Sequence, residues 1–296
     1  MVLMPAKSSA ALVVATALVL GLLSCSADTA ATTRTAPAQT SPEAADVIDG
    51  MFDVGGHSLY LNCQGTGQPT VIYLHGAIPD QNITPHANGQ EIQRRLADDH
   101  RACVYDRRNV GSSETVDAPQ RPEDVLSDLH ELLTVAEVEP PYVLLGASFG
   151  GLLAYLYANT YPDEVVGMVL LDSMFPDEME LDRYLPPGDR YEASDADDEC
   201  CSLERISHYK TMRAATEHIG KEPDIPVIYL ASEQEPWDEQ GLGPEYDSRV
   251  LELLNAYVGR FSPGKLVWVD APHFMEPAVP DEIETALHDV IAEAGY

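Results

Sequence analysis

Positive charge is what this sequence has least of. Its 296 residues carry 17 Lys and Arg against 49 Asp and Glu, a formal net charge of −32. A field of that sign repels phosphate backbones, so nucleic acid is excluded as a partner and anionic substrates are disfavoured. The acidic balance fits either a solvated surface that keeps the protein soluble or adaptation to salty surroundings. Cysteine is scarce as well, with five in all. No CxxC pair or Cys/His spacing is present, so no metal site is indicated, and no organic cofactor is implied. No internal repeat is found, which excludes a solenoid. Apolar runs stay short of the roughly 18 residues of a comfortable membrane span.

One apolar run of 14 residues, Ala10 to Leu23, follows Lys7 and fits the h-region of an export signal. It ends in Leu22-Leu23-Ser24-Cys25. This resembles the lipobox of bacterial lipoprotein signals, where cleavage precedes a cysteine that becomes lipidated. The expected organisation is a signal peptide over 1–24, then a lipidated, disordered tether over 25–48, rich in Ala, Thr, Ser and Pro. An α/β domain over 49–296 follows. The protein is then exported and lipid-anchored at Cys25 to the outer face of the bacterial cell membrane. A secreted protein with an ordinary signal and an uncleaved anchor are the alternatives. Export places the cysteines in an oxidising compartment, where disulfides persist. Nothing in the sequence indicates an oligomeric state.

From Asp49 the pattern is regular. Met51–Val54 and His57–Cys63 flank Gly55-Gly56, a hairpin signal. Thr70–Leu74 (TVIYL), Ala102–Tyr105, Tyr142–Leu145 (YVLL), Val165–Leu171, Pro226–Leu230 (PVIYL) and Leu266–Val269 read as strands. Helical spacing fills the intervals at Gln90–Ala97, Arg121–Val135, Phe149–Asn159, Glu245–Val258 and Asp281–Ala292. Strands alternating with helices predict a mostly parallel, doubly wound sheet. The rhythm breaks over about 174–224, where Pro186-Pro187-Gly188, the acidic run Asp195–Glu199 and one helical piece near Leu203–Ile219 lie. That stretch reads as a small cap inserted after the sixth strand, with a disordered acidic excursion as the alternative.

Gly146-Ala147-Ser148-Phe149-Gly150 is a G-x-S-x-G sequence between the strand YVLL and an apolar helix. That context makes Ser148 a nucleophile on a tight strand-to-helix turn, its hydroxyl exposed above the sheet. A serine hydroxyl needs a base at neutral pH. His273, in the loop after the strand LVWV, is the candidate, whereas His288 falls inside the last helix. For the acid that holds the imidazole, the loop after PVIYL offers Glu233, Glu235 and Asp238, and the sixth strand ends in Asp172. Glu235 ranks first and Asp172 second. His75-Gly76-Ala77 follows TVIYL, so the backbone N–H groups of Ala77 and Phe149 are the expected oxyanion hole. His75 itself reads as a residue that shapes the loop.

The succession HGA, YDRRNVGSS, GASFGG, MVLLDS and a late APHF resembles the α/β-hydrolase family from about Gly50 to the C-terminus. Asp106, Arg107 and Gly111 match the family's loop after the fourth strand. Asn109 stands where a Gly is common, Ala147 where a His often precedes the serine, and Glu235 at the offset of the usual Asp after the seventh strand. The resemblance implies an eight-stranded α/β-hydrolase fold. Its sheet order sets the strand ending at Cys63 beside the strand carrying Cys103, which implies a disulfide between them. Cys200 and Cys201 are left as a strained vicinal bridge or as thiols.

Together these readings predict a serine hydrolase of small-molecule carboxylic esters working through an acyl-enzyme. An amidase, an aminopeptidase or an acyltransferase could use the same residues. A non-catalytic binding lipoprotein is the remaining alternative. Haloalkane and epoxide hydrolases, which use Asp where Ser148 stands, are disfavoured.

Overall fold

The computed structural model describes residues 47–188, 190, 203–234 and 242–296. The expected tether at 25–48 with Cys25, the pair Cys200 and Cys201, and the carboxylates Glu235 and Asp238 fall essentially outside the described residues.

Eight strands form one sheet: β1 (Ile48–Asp53), β2 (Ser58–Gln64), β3 (Thr70–Leu74), β4 (Ala102–Tyr105), β5 (Tyr142–Ala147), β6 (Val165–Leu171), β7 (Val227–Ser232) and β8 (Gly264–Val269). Their order is β1-β2-β4-β3-β5-β6-β7-β8. The β1–β2 hairpin and the β2–β4 pair are antiparallel, and every other pairing is parallel. This is the α/β-hydrolase arrangement that the sequence implied. The helices are α1 (Pro85–Leu96), α2 (Pro122–Val135), α3 (Phe149–Thr160), α4 (His208–Thr216), α5 (Pro244–Val258) and α6 (Pro280–Glu293). Prolines occupy the first positions of α1, α2, α5 and α6, where a missing N–H costs nothing and the fixed φ suits the helix.

The continuous apolar strands divide into two cores by alternation. Ile72, Leu74, Leu144 and Leu170 pack with α2, α3 and α5 on one face. Val71, Tyr73, Val143, Leu145 and Val169 pack with α1 and α6 on the other. Covering both faces is why these strands show no polar alternation in the sequence. Between β6 and β7 the described residues form a 3₁₀ helix, Pro176–Tyr184, and α4. Cys63 is in register with Cys103 across β2 and β4, and the two form a disulfide.

The parallel strands end at one edge of the sheet. There β3 delivers His75-Gly76-Ala77, β5 delivers Ser148, β6 delivers Asp172, and β8 leads into the His273 loop. Loops at the carboxyl ends of parallel strands are where sites in open α/β sheets are built.

Candidate active site

Ser148 joins β5 to α3 with φ 49° and ψ −122°. That region is strained for a residue with a Cβ, and strain of this kind persists only where the surroundings over-determine it. Here they do. Ser148 N–H donates to Leu171 O at 2.9 Å, and Ser148 O accepts from Gly151 N at 3.0 Å and Met174 N at 3.1 Å. The glycines of the motif are required by close approach. A Cβ on Gly146 would lie 2.5 Å from Gly151 Cα, and one on Gly150 would lie 2.1 Å from Leu74 O. Phe149 opens α3, so its N–H has no place in the helix's own ladder and can donate at the nucleophile.

His273 Nδ1 lies 2.7 Å from Asp172 Oδ2. Asp172 follows β6 directly, with φ 38°, and its N–H donates to Leu230 O at 2.8 Å. Its other oxygen accepts from Ser232 N at 3.1 Å. Ser232 also donates through its hydroxyl to Ala271 O at 2.6 Å, tying the end of β7 to the loop that carries His273. Three residues beyond His273, Glu276 is buried and accepts from the Tyr73 hydroxyl at 2.5 Å. Burial raises the Glu276 carboxyl above its usual range.

Among the described residues the carboxylate at Nδ1 is Asp172, the second-ranked of the expected candidates. The reason is placement. Asp172 leaves the strand next to the one that presents Ser148, and a backbone N–H of β7 holds its carboxylate in position. Glu233 is exposed at the end of β7, and Glu235 lies outside the described residues.

His75 is fully buried. Its Nδ1–H donates to Gly76 O at 2.8 Å and its Nε2 accepts from Arg107 N at 3.3 Å. Burial and then the Arg107 charge hold its pKa well below the usual imidazole value, so the ring is neutral. This is the loop-shaping role expected for it.

Sequence reasoning missed a second organiser of the same loop. The buried Arg107 guanidinium donates to His75 O at 2.6 Å and Gly76 O at 2.7 Å, and also pairs with Glu204 at 2.5 and 2.9 Å. Glu204 Oε1 in turn accepts from Ile78 N at 3.1 Å. Arg107 and Glu204 thus grip both sides of Ala77. Their signal in the sequence was only the match of Arg107 to a family loop. Asp106 and Gly111 of that loop are explained by contact: Asp106 is fully buried, accepts from Ser112 N at 2.8 Å, and a Cβ on Gly111 would lie 2.1 Å from its Oδ2. Asn109 occupies its glycine-like position at φ 71°, a conformation Asn tolerates better than most residues.

Two cavities open at this end of the sheet, one touching Ser148 and the other touching Phe149, the residue after it. One, about 230 Å³, is lined by Ser148, Asp172 and His273. The other, about 340 Å³, is lined by Ala77 and Phe149 with Ile78, Leu203 and Ile206. Among the described residues no cluster of three or more His, Cys, Asp or Glu is placed to hold a metal ion. A serine on a strained turn, a histidine oriented by a carboxylate, and two N–H groups nearby suit nucleophilic attack on a carbonyl.

Comparison with known proteins gives a consistent family signal. The model of the "Alpha/beta hydrolase family" matches residues 71–292. A proline iminopeptidase of Aeromonas sobria is 25% identical over 250 residues, covering 75% of this chain and 56% of that protein. The uncharacterised protein YbdG of Bacillus subtilis is 24% identical over 128 residues, covering 43% of this chain. The match spans only 38% of YbdG and 32% of another uncharacterised B. subtilis protein, YqjL. Among solved structures, a bromoperoxidase from Bacillus anthracis superposes with a TM-score of 0.57 at 18% identity, covering 83% of this chain and 100% of that one. Mouse alpha/beta hydrolase domain-containing protein 10 superposes at 0.58 with 19% identity, covering 83% and 98%. At such identities the structural likeness shows the fold.

Proposed function

Because the chain belongs to the alpha/beta hydrolase family, we propose that it hydrolyses small carboxylic esters through an acyl-enzyme on Ser148. The observation that carries this reading is the His273–Asp172 pair lining one cavity with a serine held at positive φ. Ser148 Oγ attacks the ester carbonyl while His273 takes its proton, and Asp172 stabilises the imidazolium. The N–H groups of Ala77 and Phe149 hold the oxyanion. His273 returns the proton to the departing alcohol. It then activates the water that releases the acid and restores Ser148.

The test is a hydrolysis screen of esters of graded acyl length with amide analogues alongside, coupled to fluorophosphonate labelling of Ser148. Ester turnover with labelling at Ser148 is expected. Absence of both would leave a binding scaffold. Faster turnover of the amides would favour the second reading, an amidase or aminopeptidase, to which the similarity with proline iminopeptidases lends support.

The proposal extends to location. Leu22-Leu23-Ser24-Cys25 at the end of an apolar run supports export and lipidation at Cys25, with the domain tethered outside the cell membrane. Mass spectrometry of the mature N-terminus from a bacterial host should find a lipid-modified Cys25. An unmodified N-terminus elsewhere would overturn the tether.

A further inference from the structure

The two cavities at the Ser148 end of the sheet differ in chemistry, and the proton route decides which half of an ester each receives. Resting on the ester-hydrolase reading, the tetrahedral adduct at Ser148 has four substituents: the serine oxygen, the oxyanion, the acyl group and the departing alcohol. His273 must hand its proton to that alcohol as the C–O bond breaks, so the alcohol lies on the side of His273. Of the two cavities, His273 lines the one of about 230 Å³. The other holds Ala77 and Phe149 and is walled mainly by Ile78, Leu203 and Ile206, with His208 and the Arg107-paired Glu204 at its wall, and its mostly apolar lining suits an aliphatic acyl group.

The alcohol side is lined by three aromatic residues, Phe175, Tyr229 and Tyr246, and by the carboxyl of Glu178. Glu178 extends from the 3₁₀ helix, and its Oε1 accepts from Phe175 N at 3.3 Å. Neither Lys nor Arg lines the cavity among the described residues. Burial, opposed in part by that N–H and reinforced by the charges of Asp172 and Asp177, pushes the Glu178 carboxyl up to about 8. That carboxyl is thus largely protonated at neutral pH and ionises when a cation lies against it, whereas Asp172 and Asp177 already face His273 and Arg260. A net charge of −32 over the chain draws cations toward such a site. Aromatic rings beside a carboxyl that a bound cation can ionise are the chemistry that recognises alkylated ammonium groups.

We propose that the cavity shared by Ser148 and His273 receives the alcohol half of the ester, and that this alcohol carries an alkylated ammonium group bound by Glu178 among Phe175, Tyr229 and Tyr246. In the acylation step the Ser148 Oγ–carbonyl bond forms and the carbonyl–alkoxy bond breaks. The serine proton passes through His273 to the alkoxy oxygen, and the ammonium alcohol leaves. Water then cleaves the acyl-enzyme, giving the free acid and Ser148.

The experiment compares butyrylcholine with 3,3-dimethylbutyl butyrate, which replaces the cationic nitrogen by carbon, and uses p-nitrophenyl butyrate as a neutral reference. The parent should show a kcat/KM at least about tenfold higher for butyrylcholine than for its carbon isostere. Glu178→Gln should lower that ratio at least about fivefold, and Tyr246→Leu, at a half-buried position on α5, about threefold. Thermal unfolding checks that each variant is folded, and the ratio is read within each variant, so a general loss of activity does not imitate the effect. A parent that hydrolyses p-nitrophenyl butyrate without preferring the cation, or a preference unchanged in both variants, overturns the ammonium proposal and leaves the ester reading standing. A parent that hydrolyses none of the three esters and resists fluorophosphonate overturns both.

Discussion

His273 Nδ1 sits 2.7 Å from Oδ2 of Asp172, a carboxylate 101 residues earlier in the chain. A partner at Nδ1 leaves Nε2 for the serine and fixes the tautomer that a general base requires. Asp172→Asn should therefore lower kcat at least about a hundredfold, scaled down from the roughly ten-thousandfold loss when the equivalent Asp of a serine protease is changed. Glu235→Gln should cost less than about tenfold. Both are measured on one ester with folded protein, and the reverse ranking would return the role to Glu235.

Ser148 holds φ 49° at the turn between β5 and α3. Ser148→Ala should abolish ester hydrolysis and fluorophosphonate labelling while leaving thermal stability nearly unchanged. Ser148→Gly should be equally inactive yet more stable than Ser148→Ala by about 1 kcal/mol, because glycine adopts positive φ without a Cβ penalty. Equal melting temperatures in the two variants would argue that the turn carries no strain.

Arg107 and Glu204 are both buried, at 2% and 5% exposure. Glu204→Ala leaves the guanidinium unpaired and should cost about 3–5 kcal/mol in urea unfolding. Replacing both residues by Met should cost less stability than Glu204→Ala alone. In that double variant His75 O and Gly76 O lose their donors, so kcat should fall with KM little changed as the Ala77 N–H loses its aim. Retention of the parent kcat would show that the oxyanion loop holds itself.

The Cys63–Cys103 bridge spans a sequence separation of 40. Closing a loop of that length constrains the unfolded chain by about 3–4 kcal/mol. Cys63→Ala with Cys103→Ala should lower unfolding free energy by that order in a denaturant titration, with ester turnover at low denaturant retained.

His75 is neutral in the folded protein because burial and Arg107 hold its pKa well down. The unfolded chain takes up the proton as pH falls below about 6.5, while the folded chain does not. Its contribution to stability is thus intact above that pH and is lost as pH falls below it, at a slope of about 1.4 kcal/mol per pH unit for one proton. Comparing unfolding free energy between pH 7.5 and 5 for the parent and His75→Asn checks this. The variant should show the shallower slope, and identical slopes would refute the assignment.

How much of the site could be read in advance follows from how local each signal is. Ser148 was legible because its whole signature lies in five consecutive residues between a strand and a helix. The strands Ala102–Tyr105 and Val165–Leu171 were read to the residue, since a buried parallel strand is a continuous apolar run bounded by polar loops. Helix α1 was read short, as Gln90–Ala97 against Pro85–Leu96, because it opens on a Pro, has no acidic residue in its first turn and carries Gly89 just after it. The disulfide was reached through the sheet order implied by a family, because neighbours in β2 and β4 lie far apart in sequence.

The acid is the counter-example. Four carboxylates stood at acceptable positions, and chain spacing favoured the loop after β7. The choice depended on which oxygen reaches Nδ1. Ser232 N holds one oxygen of Asp172 so that the other points at His273, a geometry set by three strands at once. Arg107 with Glu204, 97 residues apart, was equally invisible among 49 acidic residues. The sequence by itself determined the alternation of elements, the two-sided burial of the sheet and the turn that exposes Ser148, because propensity and hydrophobic pattern act over a few residues. Tertiary structure alone decided which carboxylate lies at His273 Nδ1, what grips the loop around Ala77, and which cavity gathers Phe175, Tyr229 and Tyr246 with the Glu178 carboxyl. Electrostatic and hydrogen-bonding partners are chosen by distances of about 3 Å, which the fold sets and the spacing along the chain does not.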